Sequence, residues 1–377
     1  MSRTNAPPPR PSAPPPQPFE RVAVVVNGNA RGVTRDLVQV LDQIVQRGDL
    51  FVSRSLDEAQ DIARIIVERG YPTVVTGGGD GTFTQMVTWV TREARRRGKE
   101  PPRFGVLRLG TGNAIAWVMG ARDKGRRGRG VVADLARLQK EGGSRLIRLL
   151  DVDGVLTPFA GIGGDAAALQ DYERVKQRLE STPLPRALKS GLPVYAVSIA
   201  AITSPRYLVK PRDRARIVNV GEPAFRLGVD GQPVGRPVPA GGVLYEGPFQ
   251  MITMSTIPYW GFGARIFPFA EDRPDRYHLR VVNISPIDVA LHLKSIWNGS
   301  YRDDRVYDFL ADRVRIECEG PVPLHLGGDP AGARERVEVA LSEEPVRIVD
   351  FYGPPPVAEV SSPVTADDAG VADGDQR

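Results

Sequence analysis

The sequence predicts an N-terminal α/β domain with an open parallel sheet, followed by a C-terminal antiparallel β-sandwich domain. Two patterns carry that expectation. Between about residues 20 and 150, short apolar runs alternate with segments of helical periodicity, the β-α-β order that builds parallel sheets. From Asp151 to about residue 352, short alternating segments are separated by Gly/Pro turns, as in a sandwich. A chain of 377 residues is long enough for both cores.

The elements follow in order. Val22 to Val26 is an apolar run dominated by valine, as in a strand covered on both faces. Thr34 can cap a helix carrying Leu37, Val38, Leu41, Ile44 and Val45 at helical spacing. Leu50 to Val52 reads as a second strand. Ser55-x-x-Glu58 then opens a helix as a capping box, and Gly70 closes it. Thr73 to Thr76 is a third strand, Phe83 to Val90 repeats as one helical face, and Phe104 to Leu107 is a fourth strand. In the second half, Phe225 to Val229, Gln250 to Thr256, Leu279 to Ile284, Val314 to Cys318 and Arg336 to Leu341 read as strands. Helical inserts are expected around Ala166 to Glu180 and Asp288 to Trp297. Residues 1–19, rich in proline, and the acidic stretch 353–377 lack the apolar content to pack and are expected to be disordered tails.

Composition excludes several function classes. One cysteine, Cys318, allows no disulfide framework, and three scattered histidines make a His-rich metal site improbable. The proline-rich start has no apolar h-region, and the longest apolar run, near Val194 to Ile202, is too short to cross a bilayer. A cytoplasmic protein with at most peripheral membrane contact is expected. Between Arg92 and Arg129, twelve Lys or Arg face three acids. That run is read either as a solvated face or as a surface that meets phosphate, with nucleic acid disfavoured because no aromatics are interleaved.

The chemistry concentrates in three glycine-rich loops. Val74 to Val87 reads VVTGGGDGTFTQMV, which places Gly77 to Thr82 at the carboxyl end of a strand and the start of a helix. Unpaired N–H groups and the helix dipole favour an anion there, and glycine lets the backbone approach it closely. Asp80 in the middle would repel bare phosphate, so a nucleotide with Mg²⁺ is expected; a tight turn with Asp80 as a helix cap is the plainer reading. NGNARG (Asn27 to Gly32) and RLGTGN (Arg108 to Asn113) follow two other strands and would converge on the same crevice. GxxxxGK[ST] is absent.

NGNARG, GGGDGT and GTGN at these spacings resemble the diacylglycerol kinase catalytic domain family, which includes bacterial lipid kinases and the sphingosine and ceramide kinases. FAGIGGDAAA, YWGFGARIFPFAEDRPDR and LHLGGDPAG extend the resemblance over roughly residues 20 to 350. It implies the fold shared by that family and the NAD kinases, with ATP bound between residues 20–150 and a lipid-receiving domain over 151–352. It implies a kinase that moves the γ-phosphoryl of ATP onto a lipid hydroxyl, of diacylglycerol or sphingoid-base type, with Mg²⁺, at the membrane surface. By the resemblance, nucleotide would be contacted by Asn27, Gly28, Asn29, Ala30, Arg31 and Ser53. Gly78, Gly79, Asp80, Gly81, Thr82, Phe83 and Thr84 of the second loop would join them, with Gly110, Thr111, Gly112 and Asn113 of the third. Asp80 would act near the phosphates, Asp329 would accept the proton of the lipid hydroxyl, and Asp165 would touch the lipid headgroup or cap its helix. Asp272, Asp275 and Tyr277 would fall on the family's metal loop. A homodimer is left open.

The chain departs from the family pattern at several positions. Gln85 stands where a glutamate is usual, Arg108 replaces a proline, and Gly327-Gly328-Asp329 replaces Asp-Gly-Glu. NAD kinase, which shares the GGDGT loop, and a nucleotide- or lipid-binding pseudokinase are the alternative readings.

Overall fold

The computed structural model describes residues 21–352 except 31, 47, 111, 142 and 184–191. Both expected tails, Arg31 and Thr111 lie outside the described residues. The first sheet contains β1 (Val22–Asn27), β2 (Leu50–Ser53), β3 (Thr73–Gly78), β4 (Arg103–Arg108) and β5 (Gly143–Ile147). β1 lies parallel between β2 and β3, and β4 continues the sheet beside β3. Register pairs Asn27 with Ser53, Val26 with Gly77, and Gly78 with Arg108, so three loop-bearing strands end together. Burial on both faces explains the valine run, since Val24, Val25 and Val26 are almost wholly enclosed.

The helices form where caps and apolar stripes agree. Thr34 Oγ1 accepts the Leu37 N–H at 3.3 Å to start α1 (Arg35–Ile44). Ser55 Oγ accepts the Glu58 N–H at 3.1 Å to start α2 (Leu56–Arg69), which Gly70 closes with φ of +66°. The expected capping box is only half formed. Glu58 reaches one residue further back and accepts from the Arg54 N–H at 2.6 Å. α3 (Asp80–Arg96) follows β3 directly, and α4 (Ala114–Val118) and α5 (Arg129–Glu141) complete the layer.

The chain then builds an eleven-stranded sheet, antiparallel at every pairing described. Its strands are β6 (Leu150–Val152), β7 (Val155–Thr157), β8 (Phe159–Gly163), β9 (Asp213–Asn219), β10 (Phe225–Leu227), β11 (Val243–Phe249), β12 (Met251–Ser255), β13 (Tyr277–Val282), β14 (Val306–Ala311), β15 (Arg313–Leu326) and β16 (Asp329–Leu341). β15 is long enough to serve two neighbours: Val314 to Cys318 pair with β9, and Leu324 to Leu326 pair with β8. Irregular register between Glu317 and Val322 lets it change direction between those partners. Ile162, Ile217, Ile252, Leu279, Val314 and Val339 centre the core that results.

The last strand departs from the expected domain boundary. β17 (Val346–Asp350) returns to the first sheet, parallel to β4 and antiparallel to β5. Ile348 and Val349 are fully enclosed there, a burial that no exposed edge of the second sheet would give them. Leu149, Leu156, Phe159, Ile257 and Phe267 also pack into the first core, so the two halves share apolar contacts.

Candidate active site

The three loops meet because their backbones interlock. A Cβ on Gly110 would overlap the backbone of Gly79, and one on Gly32 would overlap that of Leu109. Asn113 holds a left-handed conformation with φ of +56°, while its amide side chain accepts from the Gly110 N–H at 2.9 Å and donates to the Gly110 carbonyl at 2.7 Å. In the first loop, the Asn27 amide donates to Thr82 Oγ1 at 3.2 Å and its oxygen accepts the Asn29 N–H. The Ser53 carbonyl accepts the Gly28 N–H at 2.8 Å. Asp80 braces the second loop to the third. Its carboxylate accepts the N–H groups of Ala114 at 2.9 Å and Ile115 at 3.2 Å, so it caps α4 from another element. Burial pushes its carboxyl up to about 6 against those two bonds.

Asp329 comes to the same point from the other domain. Gly327 and Gly328, with φ of +57° and +84°, turn the chain from β15 into β16 and deliver its side chain. The carboxylate rests on the Cα of Gly81, where a Cβ would overlap it, and the Gln85 amide donates to it at 3.4 Å. Asp329 is exposed to solvent where it opens onto the cleft, while protein crowds its carboxyl on the Gly81 side. Burial first, then the charges of Glu173 and Asp80, raise it to about 6.

Behind it lies a fully buried pair. Asp165, in the first turn of α6 (Gly164–Glu180), receives a hydrogen bond from His325 Nε2 at 3.2 Å, and its other oxygen accepts the Ala166 N–H. The N-cap position belongs to Gly163 instead. Trp260 stacks on the His325 ring at 6.2 Å.

One continuous cleft of about 2420 Å³ joins these groups. On the N-terminal side it runs between α1 and α2 past Val33, Val38, Leu56 and Ala59. On the C-terminal side it runs past Val282, Ile284, Val289, Leu293 and Ile296. Asp80, Gly81, Gln85 and Asp329 line it, and so do Glu173 and Lys176.

Comparison with known proteins bears on this arrangement. Residues 21–139 match the diacylglycerol kinase catalytic domain. The matched stretch is the N-terminal domain alone. The "Probable lipid kinase YegS-like" of Enterobacter sp. (strain 638) is 34% identical over 97 residues, 25% of this chain, and the match spans only 31% of that relative's length. A structure of a diacylglycerol kinase from Bacillus anthracis str. Sterne is similar with a TM-score of 0.56 at 16% identity, over 88% of this chain and 97% of that one. A second structure from that organism has a TM-score of 0.57 at 14% identity, with the same coverage. At such identity the likeness is one of fold, and it extends through both domains.

Several residues that the sequence expects at the site stand away from the cleft. Phe83 is fully buried and meets Phe104 edge to face at 6.4 Å, so its ring is part of the core. Thr84 is buried at the seam between domains, 3.2 Å from Thr157 Oγ1. Asp272, Asp275 and Tyr277 line no part of the cleft. Asp275 pairs with Arg276 at 2.8 Å, and the Tyr277 hydroxyl is buried, donating to the Val339 carbonyl at 3.2 Å. The basic run is spent largely on its own surroundings: Arg96 and Arg97 hold Glu93, and Arg108 stacks on Trp117. Among its described cations, none lines the cleft.

Four residues at or behind the site carry no clear sign of that place in the sequence. Gln85 stands out in the sequence only as a departure from the family pattern, His325 sits in LHLGGDPAG without a role of its own, and Glu173 and Lys176 lie outside the motifs. A signal for the last two existed. Asp165, Leu169, Tyr172, Glu173 and Lys176 recur at helical spacing, so three charged residues sit on the stripe where an insert helix would bury apolar ones.

Proposed function

We propose that this protein is an ATP-dependent lipid kinase, moving the γ-phosphoryl group of ATP onto the hydroxyl of a diacylglycerol- or sphingoid-type lipid. The observation that carries this reading is the position of Asp329: a carboxylate with raised pKa where the glycine loops of one domain meet an apolar channel of the other. The cleft is larger than the roughly 300–1,000 Å³ that suits one drug-sized ligand, and its volume leaves room for nucleotide and lipid chain together.

The residues divide the work. Gly78 to Thr82, at the N-terminus of α3, hold phosphate through backbone N–H groups and the helix dipole. Asn27 and Thr82, tied together, fix the first loop beside them. The groove between α1 and α2 takes the flat, weakly polar base. Magnesium carried in with the nucleotide would supply the positive charge that lets phosphate oxygens share the cleft with Asp80 and Asp329. Asp329 accepts the proton of the lipid hydroxyl as its oxygen bonds to the γ-phosphorus and the bond from that phosphorus to the β-phosphate bridging oxygen breaks. Gln85 keeps the carboxylate aimed without adding a second negative charge.

Transfer from terminally labelled ATP and Mg²⁺ to diacylglycerol, sphingosine, ceramide and NAD, with the lipids in mixed micelles, tests the reading. Label in a lipid supports it. Label in NAD alone would make the protein an NAD kinase, and label in no acceptor would leave a binding protein.

A further inference from the structure

Two helical inserts flank the C-terminal side of the cleft. The first is α7 (Leu192–Ser198), a π-helical turn over Ile199–Thr203, and α8 (Ser204–Val209); the second is α9 (Pro286–Leu291) and α10 (Leu293–Trp297). α8 packs against α9. Inward, Ile199, Tyr207, Val289 and Ile296 line the cleft. Outward, the same helices stay apolar: Val197 is 62% exposed, Val209 84%, Ile287 57% and Leu291 75%. A helix apolar on both sides at a protein edge has one face left to cover.

Charge identifies the cover. Residues 192–212 contain Arg206, Lys210 and Arg212 and no acid, and residues 286–297 add Lys294 against a single Asp288. Asp288 is held by Arg305, and Arg206 and Lys210 by Asp171 and Asp213. Arg212 and Lys294 have no acidic partner among the described residues. Trp297, 38% exposed, stands at the rim, the position an indole takes between hydrocarbon and water. A second copy of this chain would bring the same unmatched cations face to face, whereas anionic headgroups would neutralise them.

We propose that the outer faces of α7 to α10 dock on an anionic lipid bilayer, seating exposed apolar side chains among the acyl chains beside the cleft. The cleft, with Ile199, Val282, Ile284, Val289 and Ile296 in its wall, then gives an extracted lipid a path from the rim to Asp329. This path rests on the lipid-kinase reading; the docking itself is read without ATP or turnover, so the two fail separately.

The test is co-sedimentation of the full chain with vesicles of phosphatidylcholine alone or mixed with phosphatidylglycerol. Wild type should favour the anionic vesicles, increasingly so at low salt. The double variant Val209→Asp/Leu291→Asp, at positions outside the cleft lining, should bind them roughly tenfold less. Arg212→Glu/Lys294→Glu should lose the preference for phosphatidylglycerol. Leu146→Asp, an equally exposed position on the N-terminal domain, serves as control and should bind as wild type does. Undiminished binding by Val209→Asp/Leu291→Asp overturns the proposal, and so does an equal loss in Leu146→Asp. A wild type that binds no vesicle but forms a dimer, which the double variant breaks, would assign the face to a second copy instead.

Discussion

At the scale of single residues, the chemistry turns on how Asp329 is held. Its sequence context, Gly327-Gly328-Asp329, shows a carboxylate one methylene shorter than the glutamate of the family pattern. The sequence alone could not show what accommodates the shorter side chain. The structure answers with Gly81, whose missing Cβ makes space for the carboxylate, and with Gln85, which donates to it. Gln85 therefore changes meaning: read alone it is a lost charge, and beside Asp329 it is a hydrogen-bond donor. As the base proposed here, Asp329 must be ionised to accept a proton, and its carboxyl is raised to about 6. Transfer activity should thus climb with pH through an acidic limb centred near 6. Gln85→Glu adds a negative charge beside it and should move that limb up by roughly one unit. A pH-rate profile of both proteins checks the shift, and coincident limbs would separate Gln85 from the base.

Among elements, the interlocked loops matter more than any one of them. The three glycine loops and their place at strand ends were legible in the sequence, because glycine clusters after apolar runs have few other uses. The bond from Asp80 to the start of α4 was not legible, since it joins residues 34 and 35 positions apart and depends on how two loops cross. Removing it leaves two buried N–H groups without an acceptor. Asp80→Ala should cost about 1–3 kcal/mol in urea unfolding, with weakened ATP binding as the loops separate. An unchanged unfolding midpoint would mean that water replaces the carboxylate. Two buried acids also set opposite pH trends. Asp80 has a raised folded-state pKa, so its contribution to stability is full below about 4 and is lost as pH rises through about 6. Asp308, despite burial, is driven down by Arg280 and His278. Its contribution is present above about 4 and is lost as pH falls.

For the whole molecule, the order of elements predicted a parallel sheet and then an antiparallel one, and both are present. The element pattern assigns residues 151–352 to the second domain, whereas β17 belongs to the first sheet. Strand periodicity reveals that Val346–Asp350 is a strand but says nothing about which sheet receives it. Pairing over more than 200 residues is decided by which edge can enclose Ile348, Val349 and the following Phe351. The return strand makes the N-terminal domain depend on the end of the chain. A protein ending at residue 344 should lose soluble expression or its cooperative thermal transition, since three to four large apolar side chains leave the core at about 1.5–3 kcal/mol each. Folding of that truncated chain with an unchanged melting temperature would show that β4 and β5 suffice as an edge. The shared apolar seam also keeps Asp329 on Gly81, so the site exists only when both domains are in place.

The most direct measurement compares wild type with Asp329→Asn in two readings: ATP affinity by titration calorimetry, and phosphoryl transfer to the preferred lipid. Asparagine keeps the shape and removes the base. The account predicts ATP affinity within about twofold and a transfer rate lower by about 10²-fold or more. Transfer at the wild-type rate in Asp329→Asn would contradict it.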